Sequence, residues 1–152
     1  MADNRSASEI AERVTRRRGR VLFSQALIFI LWQVSFYAWG ATGPGDRLID
    51  HVKVSAWAVW VLALLQLMAT GGGWFRSREV RRLINDEVAV DNRRRGQQAG
   101  FYAAILGGLV VYAINQFVEP VSTRDAIHAT LSLGVGAALL RYAMLERRGE
   151  RG

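Results

Sequence analysis

Four hydrogen-bonding side chains, Gln33, Ser55, Asn115 and His128, stand inside long apolar runs of the 152-residue chain. Within hydrocarbon each has to find a partner or a water, so these four residues are where a ligand pocket is expected. The His128 imidazole has the chemistry to meet a quinone carbonyl, to change charge near neutral pH or to ligate a haem iron. A haem would need a second axial ligand, and His51 stands too near the start of its run to supply one. Ser132 follows His128 by one helical turn, but no acid is in reach to orient the imidazole, so the spacing does not make a catalytic triad. There is no HExxH, no nucleophile elbow and no pair of carboxylates within the apolar runs. "GATGPG" at 40–45 and "GGG" at 71–73 lack the lysine and strand of a phosphate loop and read as turns. With no cysteine, disulfides and thiolate metal sites are excluded, and no other metal site is expected. The chain reads as non-enzymatic, with haem or quinone at His128 as the only cofactor alternative.

The elements that would position these residues are four runs at about 21–41, 53–71, 99–118 and 124–145. Each is roughly 20 residues, which at about 1.5 Å of rise per residue spans the ~30 Å hydrocarbon layer. Overall composition, 51% apolar and 22% charged, is that of an ordinary soluble protein. It conceals segregation into greasy runs and basic connectors. A soluble bundle would carry a polar face every third or fourth residue, and the second and third runs have none. The first run is expected to be a retained span rather than a cleavable signal, because Val21 to Trp39 passes nineteen residues without a charge, beyond the usual apolar core of such signals. The expected fold is all-α: a polytopic four-transmembrane-helix bundle occupying 20–145, with a basic cytoplasmic arm at 1–19 and a cytoplasmic tail at 146–152.

Arginine placement sets the orientation. Of 20 basic residues, 17 lie within residues 1–20, the 72–98 connector or the segment from Arg141 onward, while the other two loops hold only Arg47, Lys53 and Arg124. Arginine-rich short segments remain cytoplasmic, so both termini and the 72–98 connector are expected inside a bacterial inner membrane. Arg81, Arg82, Arg93, Arg94 and Arg95 are then placed to meet lipid headgroups or a partner. The same arginines raise the pI to about 10.9, a footprint shared with nucleic-acid binders. Orientation already accounts for them, and no nucleic-acid motif accompanies them, so no direct nucleic-acid contact is expected.

Counting inward from the arginine-rich ends puts Gln25 and Gln66 at one depth, as an interhelical polar pair. The same count puts Gln33 and His128 about thirteen residues in, with Ser55 and Asn115 about sixteen in, so all four share a layer roughly 20–24 Å across. Lipid offers apolar helices little reason to associate, and close packing falls to small residues. Gly100, Ala104 and Gly108 form one such stripe, and Thr130, Gly134 and Ala138 another. The fourth run carries a second stripe at His128, Ser132 and Gly136, so one stripe is free to meet a second copy in a homodimer.

Between the second and third spans, Val80, Leu83, Ile84 and Val88 recur at helical spacing among charged residues. They predict a short amphipathic cytoplasmic helix over about 77–89, with a fresh helix start at Asp91 or Asn92. The arm predicts a separate short surface helix with unstructured first residues. The stretch "LINDEVAVDNRRRGQQAGF" at 83–101 resembles a pattern in small uncharacterised four-span bacterial inner-membrane proteins, although the strongly acidic "DER" form of some of them is missing. That resemblance implies a membrane partner for a small helix-turn-helix regulator. The function expected is a scaffold, accessory subunit or sensor that addresses a soluble cytoplasmic protein through its basic segments. A small dimeric transporter is the alternative; against it, no acidic residue lies deep in any span.

Overall fold

The computed structural model describes residues 2–39, 47–71, 78, 87–118 and 120–149. The described elements are four helices: α1 Ala2–Trp39, α2 Arg47–Thr70, α3 Glu87–Phe117 and α4 Thr123–Gly149. Each contains a segment long and apolar enough to cross a bilayer: Arg18–Phe36, His51–Thr70, Glu87–Phe117 and Thr123–Arg148. The helices run antiparallel in succession, which brings Arg18, Arg93 and Glu146 to one end, here called the basic end, and Phe36, Phe117 and His128 toward the other, the far end.

Two helices are longer than the apolar pattern predicts. α1 has 38 residues, about 57 Å at 1.5 Å each, and the arm is its direct continuation rather than a separate helix. The sequence allows this: no proline interrupts Ala2–Trp39. α3 begins at Glu87 and passes unbroken through Asp91 and Asn92, where a new helix start was expected. Neither residue serves as a cap. Asp91 pairs forward with Arg95, and Asn92 reaches across to α4. Of the rest of the expected amphipathic helix only Arg78 is described, as helical and exposed, while Arg81 and Arg82 lie outside the described residues.

Helix ends are fixed by local chemistry. Gly71 has φ 63°, a left-handed conformation that ends α2 without a Cβ penalty. At the start of α4, the Ser122 hydroxyl accepts from the Asp125 backbone N–H at 3.1 Å and donates to the Asp125 carboxylate at 2.7 Å. Asp125 in the first turn and Arg147 and Arg148 in the last also oppose the helix dipole at both ends.

α4 is the central helix. It packs on α3 along one side and on α1 and α2 along the other. The apolar core, in the basic half, takes Leu22, Ala26 and Phe29 from α1, Val61, Leu64 and Met68 from α2, and Val135, Leu139, Tyr142 and Ala143 among others from α4. α3 gives this cluster no side chain. Its buried residues are Ala89, Gly96 and Gly100, so it docks by bringing its backbone close rather than by interdigitating large side chains.

A Cβ built on Gly100 would lie 2.6 Å from Ala138 Cβ and 2.6 Å from the Gly134 carbonyl oxygen, and one on Gly134 would lie 3.0 Å from Ala104 Cβ. Gly108 faces Thr130 with more room, at 3.7 Å. Gly100, Ala104, Gly108, Thr130, Gly134 and Ala138 therefore meet one another across the α3–α4 seam. The second stripe of α4 is also covered within the chain: Gly136 faces Phe29 and Ile30, while Ser132 and His128 meet Trp57. Both stripes of α4 therefore make contacts within the chain, one with α3 and the other with α1 and α2.

Candidate functional site

Toward the far end, α1, α2 and α4 bring polar groups together inside an aromatic wall. The His128 ring, 6% exposed, packs against Phe36 at 4.4 Å and Trp57 at 4.5 Å between centroids. Trp57 Nε1 donates to Ser132 Oγ at 3.2 Å, and Ser132 is also buried. Phe29 and Trp32 both meet Trp60 edge-on, at 5.5 and 6.0 Å, which joins α1 to α2 at this level. α1 and α4 are in antiparallel register, with Arg18 opposite Glu146 and Phe36 opposite His128. That register sets Gln33 level with Leu131 and Ser132. Gln33 also shares the inward face with Phe29 and Phe36, three or four residues away on either side. Among the described residues, its Nε2 and Oε1 are both buried and neither makes a hydrogen bond.

Gln33 and His128 thus lie on the same side of the bundle, but Ser55 and Asn115 do not join them. Ser55 is exposed and lines a shallow groove on α2 with His51, Ala56 and Val59. Trp57 and Ser55 are two residues apart, about 200° around a helix, so one cannot face α4 while the other does. His51 shares the groove with Ser55 and does not face His128, which leaves the two histidines unsuited to ligating one iron. Asn115 is exposed near the end of α3, where its Oδ1 accepts from the Val121 backbone N–H at 2.6 Å and closes the turn into α4. Gln25 and Gln66 share a level, as the Phe29–Trp60 contact requires, yet no hydrogen bond joins their side chains among the described residues.

A second constellation lies at the basic end. Arg18 Nε donates to Glu146 Oε2 at 2.5 Å, and Asn92 Nδ2 donates to Glu146 Oε1 at 3.1 Å. The two charged side chains are only 9% and 4% exposed. Close by, Arg93 Nη1 donates to the Ala69 carbonyl at 3.0 Å, which satisfies one of the open carbonyls at the end of α2. Arg147 lies over the Phe23 ring at 4.7 Å. These contacts tie all four helices together where the arm of α1 leaves the bundle. Arg94 is exposed, and Arg95 pairs with Asp91 at 2.7 Å with both side chains more than half exposed, an ion pair of little energetic weight.

The sequence pattern did not single out Arg18 or Glu146 and marked Asn92 only as a helix start, although a signal exists. The small-residue rows continue by steps of four: Ala104, Gly100, Gly96, Asn92 on α3 and Gly134, Ala138, Tyr142, Glu146 on α4. Following the rows past their last small residue leads directly to the polar pair.

Among the described residues the chain is all-helical, with four helices each long and apolar enough to cross a membrane. No family model, curated protein or solved structure matches it.

Proposed function

We propose that the protein is a non-enzymatic integral membrane protein of a bacterial inner membrane, with both termini in the cytoplasm. It acts as a scaffold, accessory subunit or sensor whose arginine-rich segments address a partner. The surface supports insertion: Leu31, Leu62 and Leu106 are 64%, 65% and 62% exposed around the middle of the bundle, a display that water disfavours and lipid accepts. The arginines at the basic end complete the pattern of a cytoplasmic face.

The observation that carries the partner reading is the continuity of α1. A span needs about 20 residues, whereas α1 has 38, so nearly half of it projects past Arg18 as a helix. Unlike a loose tail, a rigid helix locked to the bundle by Glu146 presents a fixed surface and transmits a tilt. Membrane lipids are the first partner at this end, through Arg93, Arg94 and Arg95, and a soluble cytoplasmic protein the second.

Photo-crosslinking from positions 7, 10, 11 and 14 in living cells tests the reading. One recurrent soluble protein, lost when residues 2–15 are deleted while the bundle still inserts, is the outcome expected. Crosslinks to lipid alone would remove the partner.

A further inference from the structure

We propose that the far half of the bundle contains an internal hydration site at Gln33: a water, shared with Ser132, that hydrogen-bonds the Gln33 amide. The proposal is independent of any cytoplasmic partner and needs only the helix packing already described. A primary amide has two donors and an acceptor oxygen with two lone pairs, and both heavy atoms of this one are shut away from bulk without a partner among the described residues. An amide in that condition bears the full penalty of desolvation, in an apolar surrounding where nothing offsets it. A buried water is the smallest molecule that meets a donor and an acceptor together, and such waters take about three hydrogen bonds each from polar groups of this kind.

Gln33 supplies two of those bonds and Ser132, level with it on α4, supplies the third. Trp57 Nε1 donates to the Ser132 oxygen, so that hydroxyl's own proton is directed elsewhere. Gln33 stands six residues before the end of α1 at Trp39, about 9 Å along the axis. That path to the far-end surface is short enough for exchange. The aromatic rings of Phe36, Trp57 and His128 close the same region, which favours a single held water over an open channel. The ligand class follows from this enclosure: a neutral molecule of water's size, since among the described residues no charged side chain hydrogen-bonds the amide.

The test uses the whole protein, uniformly labelled with 15N, in lipid nanodiscs. Water-edited spectra are compared for Gln33, for exposed Gln97 as a wet reference, and for backbone amides of the Phe29 level as a dry one. The site predicts transfer from water to Gln33 Nε2 well above the dry reference, and its loss from the spectrum in Gln33→Met, with that variant melting below the parent. Three results would overturn it: an amide as dry as Phe29, a direct Gln33–Ser132 hydrogen bond seen as a through-bond coupling or short contact, or a Gln33→Met protein at least as stable as the parent. The measurement on the unaltered chain decides the matter even if the variant fails to fold.

Discussion

A buried charge is tolerated only in company, and Glu146 has two partners. With Arg18 on one oxygen and Asn92 on the other, both carboxylate oxygens are engaged. Removing one member takes an ion-pair partner from a buried charge, at a cost of about 3–5 kcal/mol for a pair this buried. Glu146→Leu alone should therefore destabilise the bundle strongly, while Arg18→Met combined with Glu146→Leu should recover most of the loss. Thermal unfolding in detergent checks both; a double variant no better than the single would show that the pair is not what joins α1 to α4. At the far end, Trp57→Phe keeps an aromatic ring near His128 but removes the bond to Ser132 together with part of the indole that packs against the core. About 1 kcal/mol is the ordinary worth of such a bond, and the same unfolding assay measures the combined loss. Counting along the sequence foresaw that Gln33 and His128 share a depth, because depth depends only on rise per residue. It could not foresee direction: Ser55 and Trp57 differ little in depth and point to opposite sides of α2. Asn115 was drawn away by a local need, since the chain must turn between Phe117 and Thr123 and an unpaired backbone N–H at Val121 was within its reach.

Among elements, α3 is held to α4 by the absence of side chains. Gly100→Ala would place a methyl group 2.6 Å from both Ala138 Cβ and the Gly134 carbonyl oxygen. The helices would have to separate, at a cost of about 1–3 kcal/mol for overpacking. Gly108→Ala, with 3.7 Å to Thr130, should be neutral or stabilising, since alanine is the better helix former. Equal losses at the two positions, read by the same unfolding assay, would mean that the seam is looser than described. These stripes were legible in the sequence because four-residue spacing of small residues has one physical use in a span, which is close approach. The helix lengths were not. An apolar run marks the part of a helix that suits lipid, whereas α1 and α3 continue into charged sequence that remains helical in water for different reasons: no breaker, the Asp91–Arg95 pair on α3, and the anchoring of Arg18 and Asn92 to Glu146. Gly71→Ala forces a left-handed conformation on a side chain, which should cost about 1 kcal/mol and loosen the end of α2. Hydrogen exchange at Met68, Ala69 and Thr70 should rise accordingly, and unchanged protection would refute it.

At the scale of the molecule, two patterns coincide. Large apolar side chains face outward around the middle of the bundle, Phe101 at 62% exposure and Val59 at 67% among them, while arginines gather at one end. A soluble globule would be poorly served by either pattern, and a bilayer with a cytoplasmic face accommodates both. The chain has no cysteine, so single cysteines report their surroundings without background. The most direct measurement is labelling of intact and permeabilised cells with a membrane-impermeant maleimide, using Thr123→Cys at the far end and Arg148→Cys at the basic end, both exposed. Four crossings with both termini inside predict that Thr123→Cys reacts in intact cells and Arg148→Cys only after permeabilisation. The reverse pattern, or equal labelling of both in a protein recovered without detergent, would contradict the account.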